Sequence, residues 1–149
     1  FEECGNGWLG GGLRNRNSTV AVVASVFARN NAVRGAAIHS ASGTVAIVGC
    51  LVVDNANPVT DPSRLADAMG GAISGYYANV SVSHCTVVNN TGSRYGAGIY
   101  AIGGDVAVAN SVVWGNRSVE GGDTDNVFDA GYGTFAVTHT LAGRSAPYP

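Results

Sequence analysis

Four times in succession an aliphatic residue is followed seventeen positions later by an asparagine: Leu13 to Asn30, Ile38 to Asn55, Ile73 to Asn90 and Ile99 to Asn116. Each aliphatic stands directly after three tiny residues, Gly10-Gly11-Gly12, Gly35-Ala36-Ala37, Gly70-Gly71-Ala72 and Gly96-Ala97-Gly98. Self-similarity at a fixed period of a few tens of residues means a solenoid, a propeller or an array. Inside each unit the apolar residues alternate. Val20, Val45, Val80 and Val106 come seven positions after the aliphatic, and Val22, Ile47, Val82 and Val108 two further on. Ser25, Cys50, Cys85 and Ser111 then precede Phe27, Val52, Val87 and Val113 by two. A period of two argues for strands, so the spacing predicts three short strands per turn, separated by small-residue bends.

The repeat of about 25 residues is too short for a propeller blade, which needs roughly 40. Leucine is too scarce for a leucine-rich repeat. The expected fold is all-β: a right-handed, single-stranded parallel β-helix of about five coils, with three short strands per coil and an inward Asn ladder. Stacked valines fill a narrow core at a strand spacing of about 4.8 Å. Stacked Asn30, Asn55, Asn90 and Asn116 bond to one another and to bend backbone, which satisfies groups that burial would otherwise orphan. One domain over 1–149 is expected, with coil register at 1–4, 13–30, 38–55, 73–90, 99–116 and 127–145, and loop insertions at 56–69 and 117–126.

Gly70-Gly71-Ala72-Ile73 and Phe27-Ala28-Arg29-Asn30 resemble the GGAI and FxxN repeats of chlamydial-type polymorphic outer-membrane proteins. The wider pattern is similar to pectate-lyase-like right-handed β-helices, over residues 1 to about 120. Three units carry Val-Val-Asp-Asn, Val-Val-Asn-Asn or Val-Trp-Gly-Asn in place of FxxN, and the membrane barrel of that family has no counterpart here. The resemblance implies a β-helix. It leaves function open, because that superfamily holds adhesins, passenger domains, lyases and glycosidases.

Net charge is −2, and the eight basic residues are all arginines without a basic run, so no nucleic-acid partner is expected. No apolar run reaches 18 residues, so no membrane span is expected. Cys50 and Cys85 share one slot in adjacent units and are expected as stacked thiols or a strained disulfide. Cys4 is left over as the candidate for intermolecular pairing.

Extra residues leave the coil after the asparagine, and such insertions map to one face, often the binding face. Asp61, Arg64 and Asp67 lie in the longer insertion, where 61–69 reads as a short helix capped by Asp61. That loop is a candidate partner or ligand contact. In the second insertion, Glu120-Gly121-Gly122-Asp123-Thr124-Asp125-Asn126, Asp123 and Asp125 with Asp129 are a candidate Ca²⁺ site, since calcium takes six to eight oxygen ligands. No other cofactor is expected. His39, His84 and His139 read as hydrogen-bonding bend residues rather than metal ligands. Arg29 and Asp54 share a slot and are expected to pair. Asn17, Asn79 and Asn89 head glycosylation sequons, whereas Asn116 is assigned to the ladder. Trp8, Tyr76, Tyr77, Tyr95, Tyr100 and Trp114 could stack on sugars but read as covering the outer surface or subunit contacts rather than as a glycan site.

No clustered carboxylates form a column of the kind glycoside cleavage needs, so no catalytic residues are assigned. The expected function is a non-enzymatic, secreted or cell-surface structural module: a stalk, an adhesin segment or a fibre subunit. Phe1-Glu2-Glu3-Cys4 aligns with Phe27-Ala28-Arg29-Asn30, and Ala142 and Ser145 fall in the Phe27 and Asn30 slots. Both ends therefore sit near one phase of the coil, and continuation in a longer chain or end-to-end self-association is expected. The alternatives are a fragment of a carbohydrate-active enzyme and a glycan-binding module.

Overall fold

The computed structural model describes residues 1–57, 70–93, 95–118 and 126–142. These form a parallel β-solenoid with no helix among them. Three sheets of five strands run its length. Face A stacks Leu13–Arg16, Ile38–Ala41, Ile73–Tyr76, Ile99–Ile102 and Val127–Asp129. Face B stacks Thr19–Val23, Thr44–Val48, Asn79–Ser83, Val106–Ala109 and Phe135–Thr138. Face C stacks Val26–Ala28, Leu51–Val53, Thr86–Val88, Val112–Trp114 and Leu141–Ala142. Five rungs are thus joined by about four complete turns, one fewer than the coils counted from the sequence.

The 17-residue interval fixes the register. Leu13 pairs with Ile38, Ile38 with Ile73, Ile73 with Ile99, and Ile99 with Val127. Val20, Val45, Val80, Val106 and Phe135 form the next column, and Val22, Ile47, Val82, Val108 and Val137 the one beside it. Phe27, Val52, Val87 and Val113 make the fourth. Ile38, Ile47, Ile73, Ile99 and Val52 are fully buried, and each side chain so buried contributes roughly 1.5–3 kcal/mol. Phe1 stacks flat on Phe27, ring centroids 4.7 Å apart, and covers that column. At the two ends Leu13, Val20, Phe135 and Val137 are only partly buried.

Four left-handed corners turn each coil. Gly10, Gly35, Gly70 and Gly96 lead into face A, and Asn17, Ser42, Tyr77 and Gly103 join A to B. Ala24, Gly49, His84, Asn110 and His139 join B to C, and Glu3, Arg29, Asp54, Asn89 and Gly115 follow C. L-residues resist this conformation by roughly 1–2 kcal/mol, which explains the richness in Gly and Asn. At Gly35 a Cβ would also lie 2.1 Å from the Ile38 carbonyl oxygen, so the tiny residue is obligatory there.

After each asparagine a narrow fourth column forms. Gly5–Leu9 pairs with Asn31–Arg34, Ala56 bridges Asn31 and Thr91, and Thr91–Gly92 pairs with Arg117–Ser118. Ala56 and Asn57 therefore stack within the solenoid, and so do Arg117 and Ser118, rather than opening the loop insertions. The short helix expected over 61–69 and the ladder slot at Ser145 lie outside the described residues.

Candidate functional site

The Asn ladder runs in one direction. The Asn55 amide donates from Nδ2 to Asn90 Oδ1 at 2.9 Å and to the Phe27 carbonyl at 3.0 Å. Its Oδ1 accepts the backbone N–H of Asn30 at 3.0 Å and Nδ2 of Asn30 at 2.9 Å. Asn90 repeats the pattern with Asn116 and the Val52 carbonyl. Asn30, Asn55 and Asn90 are fully buried, and every donor and acceptor of the amide is used. Cys4 continues the column at one end, donating its N–H to Asn30 Oδ1 at 3.0 Å.

The other end departs from the spacing of the repeat. Asn126, expected in an acidic loop, is instead buried and closes the ladder, its Oδ1 accepting Nδ2 of Asn116 at 2.9 Å. It stands directly before Val127, where earlier rungs place the last tiny residue of the triplet. A longer side chain fits there and reaches back across ten residues.

A second buried ladder holds the cysteines. Cys50 Sγ accepts the Ser25 N–H at 3.4 Å, Cys85 Sγ the Cys50 N–H at 3.3 Å, and Ser111 Oγ the Cys85 N–H at 3.1 Å. Each thiol or hydroxyl donates in turn to the carbonyl two residues before it: Val23 from Ser25, Val48 from Cys50, Ser83 from Cys85 and Ala109 from Ser111. Cys50 and Cys85 are free thiols doing the same job as serine hydroxyls. Burial raises the Cys85 thiol above its ordinary pKa, which keeps it protonated and unreactive. Cys4 is a half-buried free thiol whose Sγ donates to the Glu2 carbonyl at 3.4 Å.

On the outward side of face A, Arg14, His39, Ser74 and Tyr100 form a register column. His39 was expected in a bend with a hydrogen-bond partner. It sits mid-strand, 2% exposed, with Nδ1 buried and unpartnered. Burial, and then the positive charges of Arg34 and Arg14, push its pKa down to about 4. Arg34 lies over the Tyr76 ring, 5.7 Å from its centroid. His84 and His139 do occupy left-handed bends and are exposed.

Arg29 does not pair with Asp54. It turns back one rung to bond Glu2 and Glu3, with Nε 3.1 Å from Glu3 Oε1. Asn17, Asn79 and Asn89 are exposed, and Asn116 is buried. Trp8, Tyr76, Tyr77 and Trp114 are also exposed, whereas Tyr95 is half-buried and Tyr100 buried. Asp61, Arg64, Asp67, Asp123 and Asp125 lie outside the described residues, as does the side chain of Asp129. Among the described residues no three His, Cys, Asp or Glu side chains converge on a metal-sized space, and no helix is long and apolar enough to cross a membrane.

Face B carries a feature that one-dimensional spacing does not reveal. A groove of about 170 Å³ crosses its outer surface between Thr44, Asn79, Ser81, Asp105, Ala107, Thr134 and Ala136. Its polar edge is connected: Asp105 donates its N–H to Asn79 Oδ1 at 3.0 Å. Asp105 Oδ1 in turn accepts both the N–H and the hydroxyl of Thr134, each at 2.8 Å. Those two bonds hold the Asp105 carboxyl below its ordinary pKa.

The fold and its ladders define the class: a parallel β-solenoid with polar stacks at its corners. No family model matches the chain, and neither a curated protein nor a solved structure does.

Proposed function

We propose that this chain is a non-enzymatic structural β-helix module of a secreted or cell-surface protein, built to be extended rung upon rung. The observation that carries the reading is the register, which repeats from rung to rung through three five-stranded parallel sheets. Leu13 and Val20 at one end, and Phe135 and Val137 at the other, show core side chains only half covered. The strands holding them pair on one side only among the described residues. Such edges template a further parallel strand. The register repeats at every rung, so a further rung meets the same pattern, whether it comes from the same chain or from a second copy. Between copies the contact is heterologous and does not close, which gives a filament. The resemblance to polymorphic outer-membrane repeats and to pectate-lyase-like helices supports the surface location.

Sedimentation velocity over a range of concentrations, with negative-stain electron microscopy of the same samples, tests this. The expected result is rods of constant width whose length grows with concentration. A monomer of full β content at every concentration overturns self-association. Cleavage of any polysaccharide in a neutral and acidic panel, with or without calcium, overturns the non-enzymatic reading.

A further inference from the structure

We propose that the groove on face B is a binding site for a neutral sugar or short neutral oligosaccharide. The inference is independent of whether rungs stack end to end, since the groove lies on a side of the solenoid. Small-molecule sites combine an apolar floor with a few fixed polar groups, and the groove has both. Asp105 supplies the acceptor. Its Oδ1 is occupied by Thr134, which orients the carboxylate and leaves Oδ2 without a protein partner among the described residues. The same two bonds keep the group ionised at neutral pH, and a charged acceptor makes the stronger hydrogen bonds. Asn79 supplies the donor. Its Oδ1 takes the Asp105 N–H, which fixes the amide and leaves the two hydrogens of Nδ2 for a ligand. A carboxylate oxygen beside an amide donor matches a sugar hydroxyl beside a second hydroxyl or ring oxygen.

The floor is formed by Ala107 and Ala136, with Ser81 beside them, all too short to obstruct a flat ring. Two tyrosines stand at the adjoining corner. Tyr77, two residues before Asn79, lays its ring across Gly103, where a Cβ would come within 2.5 Å of it. Tyr132, two residues before Thr134, is 87% exposed. Both are left-handed, with φ of 47° and 76°, a costly conformation for bulky residues. Neither ring is part of the groove lining, which is aliphatic and polar.

Charge selects the ligand class. Asp105 is the one charged side chain in the lining, and no arginine faces it there. A uronate or sulfate would be repelled, so the ligand is neutral. A single carboxylate cannot furnish the acid and base pair of glycoside cleavage, so the site binds without cutting. At about 170 Å³ the groove is smaller than drug-sized pockets of roughly 300–1,000 Å³, the scale of one ring with neighbours projecting along the rungs.

Asn79 heads a sequon, and a glycan on its Nδ2 would consume the proposed donor, so the test uses protein from a host that does not N-glycosylate. Titration calorimetry and tyrosine fluorescence would be run with neutral gluco-, manno-, galacto- and xylo-oligosaccharides. Uronate oligomers, and calcium chloride alone, serve as contrasts. At least one neutral oligosaccharide should bind, with affinity falling roughly ten- to a hundredfold in Asp105→Ala and vanishing in Ala107→Arg. Ala107 is exposed, so its replacement leaves the core intact, and circular dichroism verifies this. Failure of every neutral sugar at millimolar concentration overturns the proposal. So does binding confined to uronates or calcium, or sugar binding that survives Ala107→Arg.

Discussion

Replacing Asn55 by alanine tests what the ladder contributes. The side chain donates to the Phe27 carbonyl and to Asn90 Oδ1, and accepts from the backbone N–H and the Nδ2 of Asn30. After truncation Asn90 Oδ1 keeps the backbone N–H of Asn55 at 2.9 Å, and Asn30 Nδ2 keeps the Phe1 carbonyl at 3.0 Å. The Asn30 N–H and the Phe27 carbonyl lose their side-chain partner in a site closed to water. At about 1–3 kcal/mol for the orphaned Asn30 N–H and about 1 kcal/mol for the hydrogen bond lost at the Phe27 carbonyl, Asn55→Ala should cost roughly 3 kcal/mol. Asn30→Ala releases the Cys4 N–H, whereas the Phe1 carbonyl loses one donor and keeps the Ala28 N–H at 3.0 Å. Both lie at the exposed end, where water replaces the lost bonds, so the cost should be about 1 kcal/mol. Asn55→Asp should be worse than alanine, because a carboxylate would face three acceptors, Asn90 Oδ1 and the Phe27 and Val53 carbonyls. Urea denaturation followed by circular dichroism gives all three values. Equal costs for Asn55→Ala and Asn30→Ala would refute the reasoning.

His39 has a pKa of about 4 when folded and about 6.5 when unfolded. The unfolded chain therefore takes up a proton first as pH falls, and stability should drop by about 3 kcal/mol between pH 6.5 and 4, then level off. Urea midpoints across that range should show the slope in the native chain and a much flatter line in His39→Phe. For the cysteines, Cys85→Ser should keep the N–H and carbonyl bonds and shift stability by less than about 1 kcal/mol. Cys85→Val should cost about 1–3 kcal/mol by orphaning the Cys50 N–H, a difference visible in thermal melts. Gly35→Ala and Gly49→Ala both place alanine in a left-handed corner, but a Cβ at Gly35 meets the Ile38 carbonyl whereas one at Gly49 meets nothing within 4 Å. Gly49→Ala should cost about 1 kcal/mol, and Gly35→Ala several times that in the same denaturation assay.

The columns of Ile38, Ile73 and Ile99, and of Asn30, Asn55, Asn90 and Asn116, were legible because a solenoid turns sequence period directly into stacking. Side chains that answer to the period alone land where the interval puts them. Those that choose among neighbours do not. Arg29 had Asp54 in its slot one rung on and Glu2 and Glu3 one rung back, and spacing could not rank them. Asn126 closes the ladder from an interval of ten rather than twenty-five or so, which lies outside the repeat. His39 lay in a mid-strand slot whose outward side is normally wet; only the fold shows it enclosed. The groove was invisible because Asn79, Asp105 and Thr134 are unlike in type, and their bonding links three successive rungs. A weak signal existed: each stands directly before a face B core residue, Val80, Val106 or Phe135.

Successive rungs stack in parallel with their core residues in phase. Methyl nuclear Overhauser contacts along Val20, Val45, Val80 and Val106 measure this most directly. Those pairs are in register through face B, with about 4.8 Å between neighbouring strands. Strong contacts are expected from each valine to the next and none between Val20 and Val80 or between Val45 and Val106, which lie two strands apart. A direct Val45–Val106 contact, or cross-peaks linking Val45 to Ser81 or Ser83 in a shifted or antiparallel pairing, would contradict it.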